Sequence, residues 1–270
     1  MDIVIIRASS LASLFDCPKR FEAVQINKIT MPRNPKNLIG NAVHHACAAF
    51  DANQLAGNPI LINDAVELSS EYINKVKDEV DWGDTDLKTT CTKAKQLVQK
   101  YCVNIAPMYE FVMVEPEDLR PIEIDIEGIT LIFTGTPDRA YITVDGLYGG
   151  ADLKTGISVV NAANQIETVK HIAQAAIYTM LIEENFDIQL TEPFHILGMS
   201  TAGTELRTGI GIMTTDFKEY LFGNPADENP EGIIHIAARL LKAGIFYGNP
   251  RSMMCHKQYC PIYSTCKFKG

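Results

Sequence analysis

The chain has 270 residues, of which 46% are hydrophobic and 21% charged, and its mean hydropathy is close to zero. This composition is typical of one globular domain, or of a domain with a small appendage. No apolar run approaches the roughly 18 residues of a membrane span, and the opening segment lacks a cleavage-type signal, so the sequence excludes a membrane protein and predicts a cytoplasmic one.

The net charge of −9 argues against a nucleic-acid partner, but the charges are unevenly distributed. Residues 1–36 carry six basic and three acidic side chains, and residues 251–270 carry four basic side chains and no acidic ones. The acidic excess therefore lies in the middle of the chain. Chance scatter is one interpretation of this pattern, and two basic ends on an acidic body is the other.

The spacing of apolar residues predicts helices at both ends of the chain and strands between them. The opening segment is expected to be a short strand or turn before a helix, and the next helical patterns cover residues 41–50, 63–80 and about 85–108. Apolar and polar residues then alternate over 121–155, which predicts a meander of three or four strands. The last predicted elements are a helix over about 162–184, strands near 194–201 and 206–213, and a helix over 231–246. This order predicts an α/β fold with a mixed sheet flanked by helices.

Two acidic residues stand on consecutive predicted strands of this meander. A turn at residues 145–146 would place Asp138 opposite Asp152. Neighbouring carboxylates repel each other unless a cation lies between them, and Mg²⁺ and Mn²⁺ prefer such oxygen ligands. Lys154 shares a strand face with Asp152, where a lysine can polarise a water. On these residues alone, an exposed hairpin with a cross-strand ion pair remains the alternative.

Four short motifs around this pair carry a family resemblance. They are "GNAVH" at residues 40–44, "GTPD" at 135–138, "DLKTG" at 152–156 and "QAAIY" at 174–178. In this order they resemble the PD-(D/E)XK superfamily, and within it the RecB-like nucleases. The chain looks most like the iron–sulfur members that are related to the CRISPR adaptation nuclease and to phage-type exonucleases.

The resemblance implies a role for each motif residue. The divalent metal, Mg²⁺ or Mn²⁺, would be bound by His44, Asp138, Asp152 and the carbonyl of Leu153. The catalytic set would be Asp138, Asp152, Lys154, Gln174 and Tyr178. In that set Lys154 positions the attacking water, while the last two orient the lysine or touch DNA phosphate. His45 competes with His44 for the ligand role, and Glu123 is a further carboxylate on an incoming strand.

The chain has seven cysteines, an odd number that predicts a reducing compartment. In the resembled iron–sulfur nucleases, one cysteine before the core and three after it hold a [4Fe–4S] cluster. Here these would be Cys17, Cys255, Cys260 and Cys266. The C-x4-C spacing of the first C-terminal pair is longer than the usual C-x2-C, so zinc is the chemical alternative, and His256 is a competing ligand. Cys47, Cys91 and Cys102 are predicted to be small buried hydrophobes.

A cluster that joins the two basic ends would form one positive patch for single-stranded DNA. Aromatic side chains of both ends are expected to stack on bases there, namely Phe21, Tyr259, Tyr263 and Phe268.

The resemblance implies a restriction-endonuclease-like core with a small iron–sulfur subdomain formed by both termini. The expected divisions are 1–36 and 251–270 for the subdomain and 37–250 for the core, with a helical insertion at about 63–108. The expected function is a metal-dependent DNA exonuclease that acts on single strands or DNA ends. A non-catalytic DNA-binding or assembly subunit and an RNA-directed nuclease are the alternatives. A helicase, or a recombination or CRISPR protein, is the expected kind of partner, oligomerisation is left open, and the expected location is the cytoplasm of a bacterial, archaeal or phage-infected cell.

Overall fold

The computed structural model describes residues 3–203, 206–228 and 230–269, and two β-sheets form its frame. One sheet has three strands in the order β1-β4-β3, and the other has five in the order β2-β5-β6-β7-β8. The β1–β4 and β6–β7 pairs are parallel and the other pairs antiparallel, so both sheets are mixed. The strands are β1 Ile3–Arg7, β2 Glu110–Val114, β3 Ile122–Ile126, β4 Ile129–Thr134, β5 Arg139–Ile142, β6 Tyr148–Gly156, β7 Phe194–Ser200 and β8 Thr208–Met213.

Helices precede, interrupt and follow the strands. Within the described residues they are α1 Leu11–Asp16, α2 Pro18–Phe21, α3 Pro35–Leu55, α4 Ile62–Val76, α5 Leu87–Asn104, α6 Ile172–Phe186, α7 Phe217–Phe222 and α8 Ile233–Ala243. The longest, α3, starts where Asn34 caps it by accepting a hydrogen bond from the backbone N–H of Asn37 at 3.1 Å. Pro35 suits the first helical position because its missing N–H would have no partner there. No described helix is long and apolar enough to cross a membrane.

The five-stranded sheet separates two hydrophobic cores. On one face, side chains such as Leu153 and Leu197 pack against α3, α4 and α5. On the other face, Ile196 and Met213 pack with α6, which also joins the three-stranded sheet and α8 to the same core. This layered arrangement confirms the predicted mixed sheet flanked by helices.

The predicted single meander is wrong, because its strands belong to two sheets. β3 and β4 pair with each other and with β1, whereas β5 and β6 lie in the five-stranded sheet. Alternating polarity shows only that a strand has two unlike faces, and it does not show which strand is its neighbour.

Several predicted boundaries also shift for identifiable reasons. The helix predicted from residue 162 begins at Ile172, because the Asn161 side chain accepts bonds from the backbone of Ala163 and Gln165 and forms a local turn. The last helix ends at Ala243, before the predicted residue 246, because Gly244 after it adopts a left-handed φ of 62° that caps the helix.

Candidate metal centre and nuclease site

Helix α3 approaches strand β6 closely at one glycine. A Cβ atom on Gly40 would lie 2.9 Å from Oγ1 of Thr155, so a larger residue would push the helix away. One helical turn later, His44 lies beside β6 with its ring next to Asp138. Burial lowers the pKa of the His44 ring and outweighs the raising effect of the Asp138 charge, which favours the neutral, metal-binding imidazole.

The strand register brings the two aspartates of the sequence pattern together. Arg139 pairs with Ala151, so Asp138 and Asp152 occupy the next opposed positions, as predicted. Asp138 is buried, and its Oδ2 accepts a hydrogen bond of 2.7 Å from the backbone N–H of Leu153. The same oxygen lies 3.4 Å from Nδ1 of His44, so helix α3 and the sheet meet at this carboxylate.

A third acidic side chain completes a group with metal-ligand spacing. One ligand atom each from His44, Glu115 and Asp138 lies within 4.8 Å of the others. Glu115 follows β2 directly, and it adopts a left-handed backbone with φ of 37°, which is uncommon outside glycine and clusters at functional sites. Its N–H donates to the carbonyl of Asp138 at 2.9 Å, which fixes it beside that residue. Two carboxylates and a neutral imidazole suit a divalent cation, so this donor set fits Mg²⁺ or Mn²⁺.

Asp152 lies outside that group, because Lys154 and Gln174 hold its carboxylate. Nζ of Lys154 is 2.6 Å from Oδ2, and Nε2 of Gln174 donates to Oδ1 at 3.2 Å. The ion pair lacks hydrogen-bond geometry, so the buried Oδ2 has no hydrogen-bond partner. Burial raises the pKa of Asp152 to about 7, against the opposing effect of Lys154. Burial disfavours the charge of this carboxylate, and the ammonium of Lys154 stabilises it.

Tyr178 lies on α6 one turn after Gln174 and reaches the same carboxylates. Its phenol is buried, which raises its pKa, and the charges of Asp138 and Asp152 raise it further. A Cβ on Gly135 would lie 2.9 Å from the Tyr178 ring, so this glycine is what allows the ring to occupy its place. The structure therefore brings the predicted catalytic residues of α6 and β6 into one region.

Behind the site, a fully buried arginine binds the elements that carry the acidic ligands. Arg139 is 0% exposed, and its Nε lies 2.8 Å from Oδ2 of Asp51 on α3, which also accepts a 2.5 Å bond from the Tyr101 hydroxyl. Nη1 of the arginine donates to the carbonyl of Asp138 at 3.1 Å and lies 3.5 Å from Oε1 of Glu115. Arg139 thus joins α3, β2 and β5 through charge.

Sequence reasoning missed Glu115, Asp51 and Arg139. Asp51 stands seven residues after His44, two helical turns along the same face, and this spacing could have indicated that Asp51 points toward the same side as His44. Glu115 left no comparable signal, because it belongs to no motif and its position depends on the fold. The alternatives were weaker: Glu123 is exposed on β3, and His45 is exposed with its ring 5.2 Å from that of Tyr72.

The four cysteines of the two chain ends line one small cavity, together with Arg20, Met254 and Phe268 among others. Hydrogen bonds hold the ends together: Asn249 donates from its backbone to Sγ of Cys17 at 3.4 Å, and its side chain donates to the carbonyl of Asp16 at 2.9 Å. Burial raises the pKa of Cys260, and the neighbouring Cys17 and Cys266 raise it further.

The sulfur atoms of this cavity do not form a group with the spacing of zinc ligands in the part of the chain that the structure describes. Of the described residues, no three cysteines bring their sulfurs within 4.8 Å of one another. A tetrahedral zinc with bonds of about 2.3 Å would hold its sulfurs about 3.8 Å apart. The described cysteine sulfurs do not show that spacing, and the exposed His256 does not line the cavity.

One aromatic prediction at these chain ends is wrong. Phe21 is fully buried in the hydrophobic core next to the three-stranded sheet, so it cannot stack on a base. Its apolar neighbours in the helical pattern indicated this burial. Tyr259, Tyr263 and Phe268 remain partly exposed.

The family follows from comparison with known proteins. The family model described as "PD-(D/E)XK nuclease superfamily" matches residues 7–267, so the chain belongs to this superfamily. The superfamily hydrolyses phosphodiester bonds in a metal-dependent way, and this chain is accordingly a nuclease of that fold with an acidic group suited to a metal.

Solved structures and curated proteins were also compared with this chain. A solved structure described as "Crystal structure of SSO0001" aligns with 98% of this chain and 87% of that chain, at 14% identity and a TM-score of 0.44. Comparison with curated proteins gives no match.

Proposed function

We propose that the chain is a Mg²⁺- or Mn²⁺-dependent deoxyribonuclease that cuts single-stranded DNA or DNA ends as an exonuclease. The observation that carries the proposal is the meeting of His44, Glu115 and Asp138 beside the buried pair of Asp152 and Lys154. A structural ion pair would not need three further ligand atoms within 4.8 Å of one another. The basic chain ends support DNA as the substrate.

The residues divide the chemistry between them. A bound divalent ion would supply Lewis-acid stabilisation of phosphate charge and a more acidic water. His44, Glu115 and Asp138 hold the ion, with the Leu153 carbonyl beside them. Lys154 is 22% exposed, so its ammonium group can reach a water or a phosphate oxygen while Asp152 fixes its direction.

Two residues of α6 support this arrangement. Gln174 holds Asp152 in place through its 3.2 Å hydrogen bond. Tyr178 fills the space against Gly135 and excludes water from the buried side of the carboxylates.

The test uses purified protein with Mn²⁺ and end-labelled single-stranded, double-stranded and RNA substrates. We expect shortening of DNA from an end, and loss of cleavage by at least about 100-fold in His44→Ala, Asp152→Asn and Lys154→Met. His45→Ala is the matched control, because that ring is exposed and adjacent in sequence, and it should cut at the wild-type rate. DNA binding without cleavage would indicate an assembly subunit, and cleavage of RNA alone would indicate an RNA-directed enzyme.

We also propose that Cys17, Cys255, Cys260 and Cys266 hold a [4Fe–4S] cluster that ties the chain ends together. The shared cavity of the four cysteines supports this assignment, because a [4Fe–4S] cluster takes four thiolate ligands. Anaerobic purification should give a brown protein with broad visible absorption and about four irons per chain. One zinc per chain, with no visible absorption, would overturn it.

The remaining proposals concern partners. The chain contains no GxxxxGK[ST] phosphate-binding motif, so we propose that any unwinding of DNA comes from a separate helicase. A recombination or CRISPR protein is the alternative partner. Co-purification from a cell extract, followed by reconstitution with the purified partner, tests this.

A further inference from the structure

A second cavity lies between the helical insertion and the cysteine-bearing C-terminal segment, apart from the metal centre. Its volume is about 490 Å³. It is lined by Met31, Asn34, Lys36, Trp82, Lys257 and Tyr259, among others. We call it the Trp82 cleft. None of the residues that line it belongs to the metal centre or to the cysteine set.

We propose that the Trp82 cleft binds an unpaired nucleobase of the DNA strand whose end is being cut. This inference rests on the proposed function and adds a specific base-binding subsite to it.

The two aromatic walls of the cleft are held in place. Trp82 is partly buried against the core of α3, α4 and α5, and its Nε1 donates to the carbonyl of Lys77 at 3.0 Å. The preceding residue, Asp81, donates its N–H to the carbonyl of Arg33 at 2.9 Å, which ties this loop to the segment before α3. A ring fixed in this way loses little conformational entropy when a base stacks on it.

The second aromatic side chain in the lining is Tyr259. Its backbone carbonyl accepts a 3.2 Å bond from Nε of Arg20, and the Lys36 ammonium lies 5.9 Å above its ring. The ammonium also donates to the Tyr259 hydroxyl at 3.4 Å. The lining of the cleft therefore contains two aromatic rings that are each held in place.

The charges of the cleft fit a base better than a phosphate. Lys36 and Lys257 are offset by Asp81 and Asp84, so the lining has no net charge. Phosphate sites are strongly positive, whereas a nucleobase needs ring faces and mixed donors and acceptors. A base within a duplex has both faces stacked and its pairing edge occupied, so the occupant must be unpaired.

The position of the cleft fits a strand that leads to the metal centre. Lys36 and His44 lie on α3 eight residues apart, which corresponds to about 12 Å along the helix axis. A stacked strand advances about 3.4 Å per nucleotide, so this separation corresponds to about three to four nucleotides. We therefore expect the captured base at that distance from the cut.

The sequence offers a direct probe, because Trp82 is the single tryptophan of the chain. Asp152→Asn protein, in which cleavage is expected to be lost, is titrated with a 12-nucleotide single strand and with the matching blunt duplex. Tryptophan fluorescence reports the cleft, and anisotropy of labelled DNA independently reports total binding. The single strand should quench Trp82, and the duplex should bind with little quenching.

Substitutions then measure the contribution of the ring. Trp82→Ala should weaken single-strand binding about tenfold or more, while the slope of affinity against salt stays unchanged, because stacking releases no counterions. Trp82→Phe should keep most of the affinity. Phe186→Ala removes an exposed aromatic side chain elsewhere and should leave affinity unchanged. In a series of single strands that each lack one base, at successive positions, the affinity should fall at one or two positions only.

Each outcome is decisive. Single-strand binding without quenching of Trp82 would refute base binding in the Trp82 cleft. Equal effects of Trp82→Ala and Phe186→Ala on affinity, with unchanged melting temperatures, would refute it too. Neither result would affect the nuclease proposal. Quenching by free mononucleotides with no difference between abasic positions would identify a nucleotide pocket instead and also overturns it. Failure of every DNA to bind would refute the proposed function and this inference together.

Discussion

Replacing Asp51 with asparagine would leave the fully buried Arg139 without its nearest countercharge. At 2.8 Å, and with an effective dielectric constant of about 20, the attraction between the two charges is about 6 kcal/mol. The substitution also removes the cost of burying the carboxylate, so the expected net loss of stability is about 3–5 kcal/mol. For a chain of this size that corresponds to a fall in melting temperature of about 10 °C.

The assay is thermal unfolding at pH 7, followed by circular dichroism. Glu67→Gln is the matched control, because it breaks an ion pair to Lys95 of 2.7 Å that lies at the surface, and it should not change the melting temperature measurably. A melting temperature of Asp51→Asn within about 2 °C of the wild type would refute the reasoning, since a buried guanidinium left with only the 3.5 Å contact to Glu115 as countercharge should destabilise the fold by more than that.

A double variant separates stability from the role of the charge network at the site. Asp51→Leu with Arg139→Met replaces the pair with apolar side chains and should recover most of the lost stability. It should not recover Mn²⁺-dependent cleavage, because the Arg139 contacts to Glu115 and to the Asp138 carbonyl are gone. Recovered cleavage would show that the arginine serves only the fold.

Three further predictions test other parts of the molecule. Gly40→Ala should lower the initial rate of cleavage about tenfold or more, because the added methyl group moves α3 away from β6. Adding Thr155→Ala should restore the rate. A double variant as slow as Gly40→Ala would contradict the close approach of Gly40 to Thr155. Cys260→Ser should lower both iron content and melting temperature, whereas Cys91→Ser, which lies outside the cysteine cavity, should change neither. Burial lowers the pKa of His195, so below a pH of about 6.5 the unfolded chain binds more protons than the folded one and the stability falls as the pH drops. His195→Gln should make the melting temperature depend less on pH between pH 5 and 8. An unchanged dependence of the melting temperature on pH would contradict this prediction.

Local sequence signals identified the site residues that lie in short motifs. The spacing from Asp138 to Asp152, with a turn between them, was enough to predict that they face each other across two strands. The one-turn separation of Gln174 and Tyr178 likewise predicted one helical face. Both inferences depend only on backbone periodicity, which a single sequence carries.

Long-range arrangement was not available from such signals. Glu115 reaches the site because β2 pairs with β5, and nothing in its own segment specifies that pairing. The division of the predicted meander into two sheets depends on the parallel pairing of β1 with β4, more than 120 residues apart. Strand partners are chosen by tertiary packing, so the sequence predicted strands but not their neighbours.

Strand β6 divides the machinery between two cores. Leu153 packs with α3, α4 and α5, whereas Asp152 faces α6 and bonds to Gln174. Each core therefore supplies part of the site, and local opening of either one would silence the nuclease while the other stayed folded. Cleavage therefore requires both cores to be folded, and amide exchange in α3, which carries His44, should slow when a metal binds.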